Sequence, residues 1–358
     1  MIIRNNTLYF GVYNAYELAE RYGTPLYIYE ESVIHDLYQQ IKSSFAYTPF
    51  QIHYAVMANN RHEILRIFKQ FGASVQVNSP KELHEALRAG FDTSKVSVTT
   101  TNISMHDLAL YVRYSLDHKG NRVGVMKRDI DNIVAHARTY GVALTSLCGY
   151  LGTNIMEVRL FIRMAECLAT LIPLLPDIHS VNIGGGFGVT TRDDKREFDF
   201  RTLGAHLKRL MERASRSVGR KIQLKIEPGR TLIAKAGTLL STVTNVKAME
   251  GWTQVGCDGG FGIFARPYVY GWRGDGYHPI LLARNPRGKN HGRYTIGANT
   301  VLQNDIMGED RQLPRVQEGD ILAIKNVGAY GAVMTSGFPG KNLPNEILIK
   351  KGGKIIKL

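Results

Sequence analysis

Cysteine is scarce. Only Cys148, Cys167 and Cys257 occur in 358 residues, too few and too scattered for a disulfide framework or a zinc site. No metal site is expected, and a reducing, cytoplasmic setting is the default. Long apolar runs are also missing. None approaches the ~20 residues of a membrane span, and Met1-Ile2-Ile3-Arg4-Asn5-Asn6 has no signal-peptide h-region. Acidic residues are outnumbered, 31 against 45 Lys and Arg, which leaves a net charge of +14. That excess permits attraction to nucleic acid, an anionic surface or an acidic protein. Much of it sits in Lys195 and Arg196, and in Lys208, Arg209, Arg213, Arg216, Arg220 and Lys221. These last six recur at near-helical spacing opposite Leu203, Leu207 and Leu210, so the plain reading is a solvated outer helix face. No aromatic residues interleave with the charges, which argues against a single-strand nucleic-acid platform.

What is present is an ordinary globular composition, 44% hydrophobic and 21% charged. It is long enough for one large domain plus a smaller one. Strand-like and helix-like segments alternate from about residue 30 to 230. Glu31 to Phe45 carries Val33, Leu37, Ile41 and Phe45 at four-residue spacing, an amphipathic helix. Gln51 to Val56 reads as a strand, Arg61 to Phe71 as a helix and Ser74 to Val77 as a strand. Ser79-Pro80-Lys81-Glu82 opens a helix with a capping-box pattern. Val96 to Thr100 is an expected strand and Met105 to Tyr114 an expected helix. Strands follow near Leu144 to Tyr150, Ser180 to Ile183 and Gln223 to Ile226.

This rhythm predicts an α/β fold, a (β/α)8-type barrel over residues 31–235. Beyond it, residues 236–358 read as a β-rich domain of short runs: Leu239 to Val246, Tyr294 to Ile296, Ile321 to Ile324 and Glu346 to Ile349. Residues 1–30 are expected to join that domain, with Thr7 to Phe10 pairing into it. One interruption stands out. Leu116-Asp117 reads as the end of the fourth barrel strand, and Arg122-Val123-Gly124-Val125 as the fifth or a later one. Parallel neighbours need a crossover of about a dozen residues, so one βα unit is expected to be missing. The barrel then closes with seven strands or stays open there; an incomplete gene model or a deletion is an equally plain reading.

Four motifs carry chemistry. Gly184-Gly185-Gly186-Phe187-Gly188 follows an apolar strand, and glycines let backbone N–H groups approach phosphate oxygens; a tight turn explains such a run equally well. Glu227-Pro228-Gly229-Arg230 ends the last barrel strand, on the face where barrel active sites form. Arg266-Pro267-Tyr268-Val269-Tyr270 sets a forked guanidinium beside a phenol, a pairing suited to a carboxylate or to a structural interface. Gly328-Ala329-Tyr330-Gly331 lies in the β-rich part, where Tyr330 alone reads as a core aromatic.

Together with His53-Tyr54-Ala55-Val56-Met57-Ala58-Asn59-Asn60, these segments resemble the fold-type III pyridoxal-phosphate (PLP) decarboxylases, the diaminopimelate and ornithine decarboxylase family. The resemblance runs from about Tyr22 to the C-terminus. It implies a barrel embraced by a β-domain, a homodimer, and PLP as cofactor. It also implies roles by position. Gly184, Gly185 and Gly186, with Gly229, Arg230 and Tyr330, would hold the phosphate. Glu227 would pair with the pyridine nitrogen, and Tyr150 takes the place of the ring-stacking histidine. Arg266 and Tyr270 would bind the distal carboxylate of an amino-acid substrate, which favours the diaminopimelate branch.

Three departures fall on the chemistry itself, the first being Tyr150 in place of the histidine. Met57 stands where the family has its Schiff-base lysine, and a thioether has no nucleophilic nitrogen. Thr300 or Val301, within Gly297-Ala298-Asn299-Thr300-Val301-Leu302-Gln303-Asn304-Asp305, stands where the family has its general-acid cysteine; the next acidic residue is Asp305. The expected function is a decarboxylase-like protein that binds PLP or another phosphate ligand noncovalently and is impaired in decarboxylation. Two alternatives stay open. One is an active enzyme with altered cofactor use, through noncovalent capture of a preformed substrate–PLP aldimine or with Lys225 as the stand-in amine. The other is a non-catalytic interaction protein, whose basic surface suits an acidic partner.

Overall fold

The computed structural model describes residues 1–99, 112–114, 129–141, 143–191, 196–297 and 300–358. Two compact units emerge, Met1–Asp36 with Thr190–Lys195 and Leu232–Leu358, and Leu37–Val189 with Arg196–Thr231.

The chain opens with an antiparallel meander, β1 (Ile2–Arg4), β2 (Thr7–Phe10) and β3 (Tyr13–Asn14). Asn14 then starts α1 (Ala15–Tyr22) in a reciprocal capping box. Its Oδ1 accepts from the Glu17 N–H and its own N–H donates to Glu17 Oε2, both at 2.9 Å. β4 (Leu26–Glu30), buried at all five positions, leads into α2 (Glu31–Ser44). The expected pairing of Thr7 to Phe10 with the β-rich part is slight: the Leu8 N–H donates to the Ala283 carbonyl at 2.9 Å and Thr7 bridges Arg284. The segment that does enter the large sheet is β4.

The second unit is built on β5 (Phe50–Ala55), α3 (His62–Gln70), β6 (Ser74–Val77), α4 (Pro80–Arg88), β7 (Val96–Val98), β8 (Val112–Tyr114), α5 (Ile130–Thr139), β9 (Ser146–Gly149), α6 (Val158–Leu171), β10 (Ser180–Asn182), α7 (Phe200–Ser217) and β11 (Gln223–Ile226). Its seven strands are all parallel, in the order β7-β6-β5-β11-β10-β9-β8. Among the described residues the two end strands of the curled sheet, β7 and β8, do not pair. The segments that frame the expected missing unit, Leu116-Asp117 and Arg122 to Val125, lie outside the described residues. Part of the helix expected over Met105 to Tyr114 needs correction: Val112–Tyr114 is a strand paired with β9. Sheet pairing overrides the helical periodicity there.

Alternation divides the strands cleanly. Tyr54 stacks on Phe68 of α3 at 3.9 Å between ring centroids, and Val75, Val77, Leu224 and Ile226 are likewise buried on the helix side. The other face is polar. His53 Nδ1 meets Ser97 Oγ at 3.1 Å, Ser180 Oγ meets Ser146 Oγ at 2.8 Å, and Asn182 meets Glu227. On α7, Leu203, Leu207 and Leu210 are buried while Lys208, Arg209, Arg213 and Arg216 are exposed, as the charge pattern predicts. Past α7, Arg220 donates to the Pro176 and Ile178 carbonyls.

After α8 (Arg230–Ile233) come β12 (Gly237–Met249), β13 (Trp252–Cys257), α9 (Arg266–Tyr270), β14 (Ile280–Leu282), β15 (Gly292–Gly297), β16 (Ile306–Leu313), β17 (Ile321–Lys325), β18 (Asn345–Ile349) and β19 (Ile355–Lys357). They form one sheet, β16-β15-β13-β12-β4-β18-β19, with β17 also on β12 and β14 on β17. β4 thus lies between β12 and β18. Leu26 and Ile28 share a core with Leu8, Phe10, Leu18, Leu240, Ile321 and Ile347.

Candidate functional site

The glycine turn after β10 is shaped by contact. Gly184 and Gly186 have φ of +68° and +84°, which side chains rarely adopt. A Cβ on Gly185 would stand 2.2 Å from the Glu227 carbonyl, and one on Gly186 1.9 Å from the Gly152 carbonyl. The turn is tied down at its ends. The Gly184 N–H donates to Asn182 Oδ1 at 2.9 Å, and the Gly188 N–H to the Ile155 carbonyl at 2.9 Å. Between these, the N–H groups of Gly185, Gly186 and Phe187 take part in none of the hydrogen bonds found among the described residues. Consecutive backbone donors on a glycine turn are of the kind that can bind an anion.

Glu227 sits at the head of β11, 6% exposed. Its Oε1 accepts from Asn182 Nδ2 at 2.8 Å, and its N–H donates to the Gly184 carbonyl at 2.7 Å. Asn182, 4% exposed, therefore holds the glycine turn with its oxygen and the carboxylate with its nitrogen. The sequence reading missed it. The available signal was its place two residues before Gly184, on the inward parity of β10. Tyr150 stands beside the turn, its Cε2 3.6 Å from where a Gly186 Cβ would be, and its hydroxyl meets Thr153 Oγ1 at 3.1 Å.

Met57 lies on a 3-10 turn, Val56–Ala58, directly after β5. Its neighbours Val56 and Ala58 are buried, while Met57 is 43% exposed. The Ala55 N–H donates to the Pro228 carbonyl at 3.3 Å, and a Cβ on Gly229 would meet Ala58 Cβ at 3.0 Å. Gly229 thus allows the turn that carries Glu227 and Arg230 to pack on the turn that carries Met57. Lys225 shares the inward face of β11 with Glu227. Burial lowers its pKa, and the charges of Glu227 and Cys148 partly oppose this.

In the other unit, Arg266 begins α9 and is 1% exposed. Its Nε donates to His278 Nε2 at 3.3 Å and its Nη2 to the Asp275 carbonyl at 3.0 Å. The guanidinium carbon lies 4.9 Å from the ring centroid of Tyr270 and 5.9 Å from that of Tyr330. The structure therefore brings Arg266, Tyr270 and Tyr330 together. Tyr330 holds φ +56°, and the glycines flanking it lack room for a Cβ against the Ile233 and Val327 carbonyls.

Asp305 is 5% exposed and its carboxylate is consumed locally. It accepts from the Phe261 N–H at 2.9 Å and from the Thr300 N–H at 3.0 Å and hydroxyl. Val301 is 95% exposed; Ala298 and Asn299 lie outside the described residues. The fully buried Cys257 is on β13, its thiol pushed up to about 12 by burial, so it is inert as an acid.

The donors present suit a phosphorylated pyridine. An open N–H cradle fits a dianion, and a buried carboxylate fits a ring nitrogen. The family model for the pyridoxal-dependent decarboxylase, C-terminal sheet domain, matches residues 12–328. The diaminopimelate decarboxylase of Methanothermobacter thermautotrophicus is 27% identical, over 96% of this chain and 91% of its own. That of Bacillus subtilis is 26% identical, over 96% and 90%. The first alignment runs over 399 positions, more than the 358 of this chain, so the relative carries residues without counterpart here. A solved diaminopimelate decarboxylase from M. jannaschii superposes with a TM-score of 0.88 at 24% identity, over 99% of this chain and 94% of that one. The chain belongs to the fold-type III pyridoxal-dependent decarboxylases, on the diaminopimelate decarboxylase branch.

Proposed function

We propose that this protein is a diaminopimelate decarboxylase-like binder of pyridoxal 5′-phosphate that holds the cofactor noncovalently and is impaired in amino-acid decarboxylation. The observation that carries this reading is the thioether of Met57 beside an otherwise furnished cradle. The N–H groups of Gly185, Gly186 and Phe187 would bind the phosphate, helped by Gly229 and Arg230. Glu227, fixed by Asn182, would accept a hydrogen bond from the ring nitrogen, and Tyr150 would cover the ring. When bound, the ring supplies a sink for the electron pair left by departing CO2. At position 57 no amine is available to hold the aldehyde or to exchange it for a substrate amine. Thr300 has an alcohol where an acidic thiol is needed, and it spends that hydroxyl on Asp305.

The ligand is amino-acid-like, with Arg266 and Tyr270 as the carboxylate-binding pair. The named activities of the relatives support this, as does a related solved structure described as a co-complex with L-lysine. A homodimer and a cytoplasmic setting belong to the same reading.

Incubation with PLP, dialysis and borohydride reduction test it. The wild type is expected to retain PLP without a reducible covalent label, whereas Met57→Lys acquires a label at residue 57. That variant is expected to release little CO2 from diaminopimelate. Failure to retain PLP at all would overturn the reading in favour of a non-catalytic interaction protein. Full decarboxylation by Met57→Lys alone would show that Thr300 and Val301 are no obstacle.

A further inference from the structure

We propose that Lys225 is an electrostatic partner of Glu227 inside the barrel, competing with the ring nitrogen of bound PLP for that carboxylate and so weakening the ring as an electron sink. The inference rests on the reading of the site given above. Lys225 and Glu227 are two residues apart on β11, so they share the inward face about 7 Å apart along the strand. Register places Lys225 level with Asn182 on β10 and Gln51 on β5, and Asn182 level with Cys148 on β9. Lys225 therefore occupies the layer beneath the carboxylate. In PLP the nitrogen and the aldehyde-bearing carbon are para. Because Glu227 would hold the nitrogen end of the ring, Lys225 in the layer beneath it would act on that nitrogen and would not replace the missing Schiff-base lysine.

The surroundings agree. Among the residues whose side chains are described, the charged and titratable groups facing this layer are His53 from β5, Cys148 from β9, and Lys225 and Glu227 from β11, with Lys95 acting on His53 from the turn before β7; Arg113 of β8 is level with Cys148 by register. Asn182, Gln76 and Ser97 complete the face as neutral groups. His53 is lowered to about 4, first by burial and next by the charge of Lys225. A neutral imidazole leaves Lys225, among the described side chains of this layer, as the cation that acts on Glu227. A positive charge at this range opposes a second one on the ring nitrogen by about one pH unit.

Two titrations test the proposal. In the ligand-free protein, the NMR midpoint of His53 is expected near 4 and should rise in Lys225→Met, while Lys225→Arg stays close to wild type. With pyridoxine 5′-phosphate bound, chosen because it lacks the aldehyde, the ultraviolet midpoint of ring-nitrogen protonation is expected about one pH unit higher in Lys225→Met than in wild type or Lys225→Arg. Lys225→Gln serves if the methionine variant does not fold. Equal ring midpoints in all variants would overturn the proposal, as would a His53 midpoint indifferent to residue 225. If pyridoxine 5′-phosphate and PLP both fail to bind, the reading of the site falls and takes this inference with it. If they bind with unchanged midpoints, only the inference falls.

Discussion

A single methylene group decides much of this site. Gly185 has an unremarkable φ, yet a Cβ there would lie 2.2 Å from the Glu227 carbonyl. Gly185→Ala is therefore expected to destabilise by about 1–3 kcal/mol, whereas Gly292→Ala, where nothing lies within 4 Å, should be near neutral; urea unfolding of both variants checks this. His53 supplies a pH signature. Its folded pKa of about 4 lies below the unfolded 6.5, so the unfolded chain binds the extra proton between these values. Stability should fall as pH drops from about 6.5 to 4 and level off below, by on the order of 3 kcal/mol. Urea midpoints for wild type and His53→Gln across that window check it, and the variant should show a flatter profile. Legibility at this scale was uneven. Glu227 and the glycines announce themselves by motif. Asn182 and His53 do not, because their importance lies in partners on other strands, Glu227 and Ser97.

Elements were legible where periodicity was clean. Ser74–Val77 and Gln223–Ile226 stand as the sequence predicts, with both ends in place. Ser79 caps α4 by accepting from the Glu82 N–H at 3.2 Å, while the Glu82 carboxylate takes the Asn78 N–H at 2.7 Å instead of closing the box on Ser79. Ser79→Ala should therefore cost about 1 kcal/mol, measurable by thermal unfolding. β13 and β16 escaped notice for a physical reason. Trp252–Cys257 buries only Val255 and Cys257, and Ile306–Leu313 carries Glu309, Asp310 and Arg311 with Asp310 at φ +52°. Their strand state comes from partners, not from local preference. The motif Arg266-Pro267-Tyr268-Val269-Tyr270 was legible as chemistry but not as the helix it forms, since five residues are too few to show a period.

At the scale of the whole chain, the N-terminus is the part whose role sequence alone least conveys. Leu26 to Glu30 is only five residues long, yet it is an interior strand with β12 antiparallel on one side and β18 parallel on the other. Deleting residues 1–30 should leave a split sheet with two new edges; loss of solubility or of near-ultraviolet circular dichroism in that truncation checks it. The same placement bears on how the molecule is made. During synthesis β4 emerges first, but its two neighbours follow only after the entire barrel sequence has been translated. At about 5–20 residues per second, the strand waits on the order of tens of seconds with both hydrogen-bonding edges bare. The barrel strands meet their partners in passing, save β5, which waits for β11. The β-sheet unit is in this sense a post-translational structure, and the nascent chain carries an unpaired strand that needs shielding until its last hundred residues arrive.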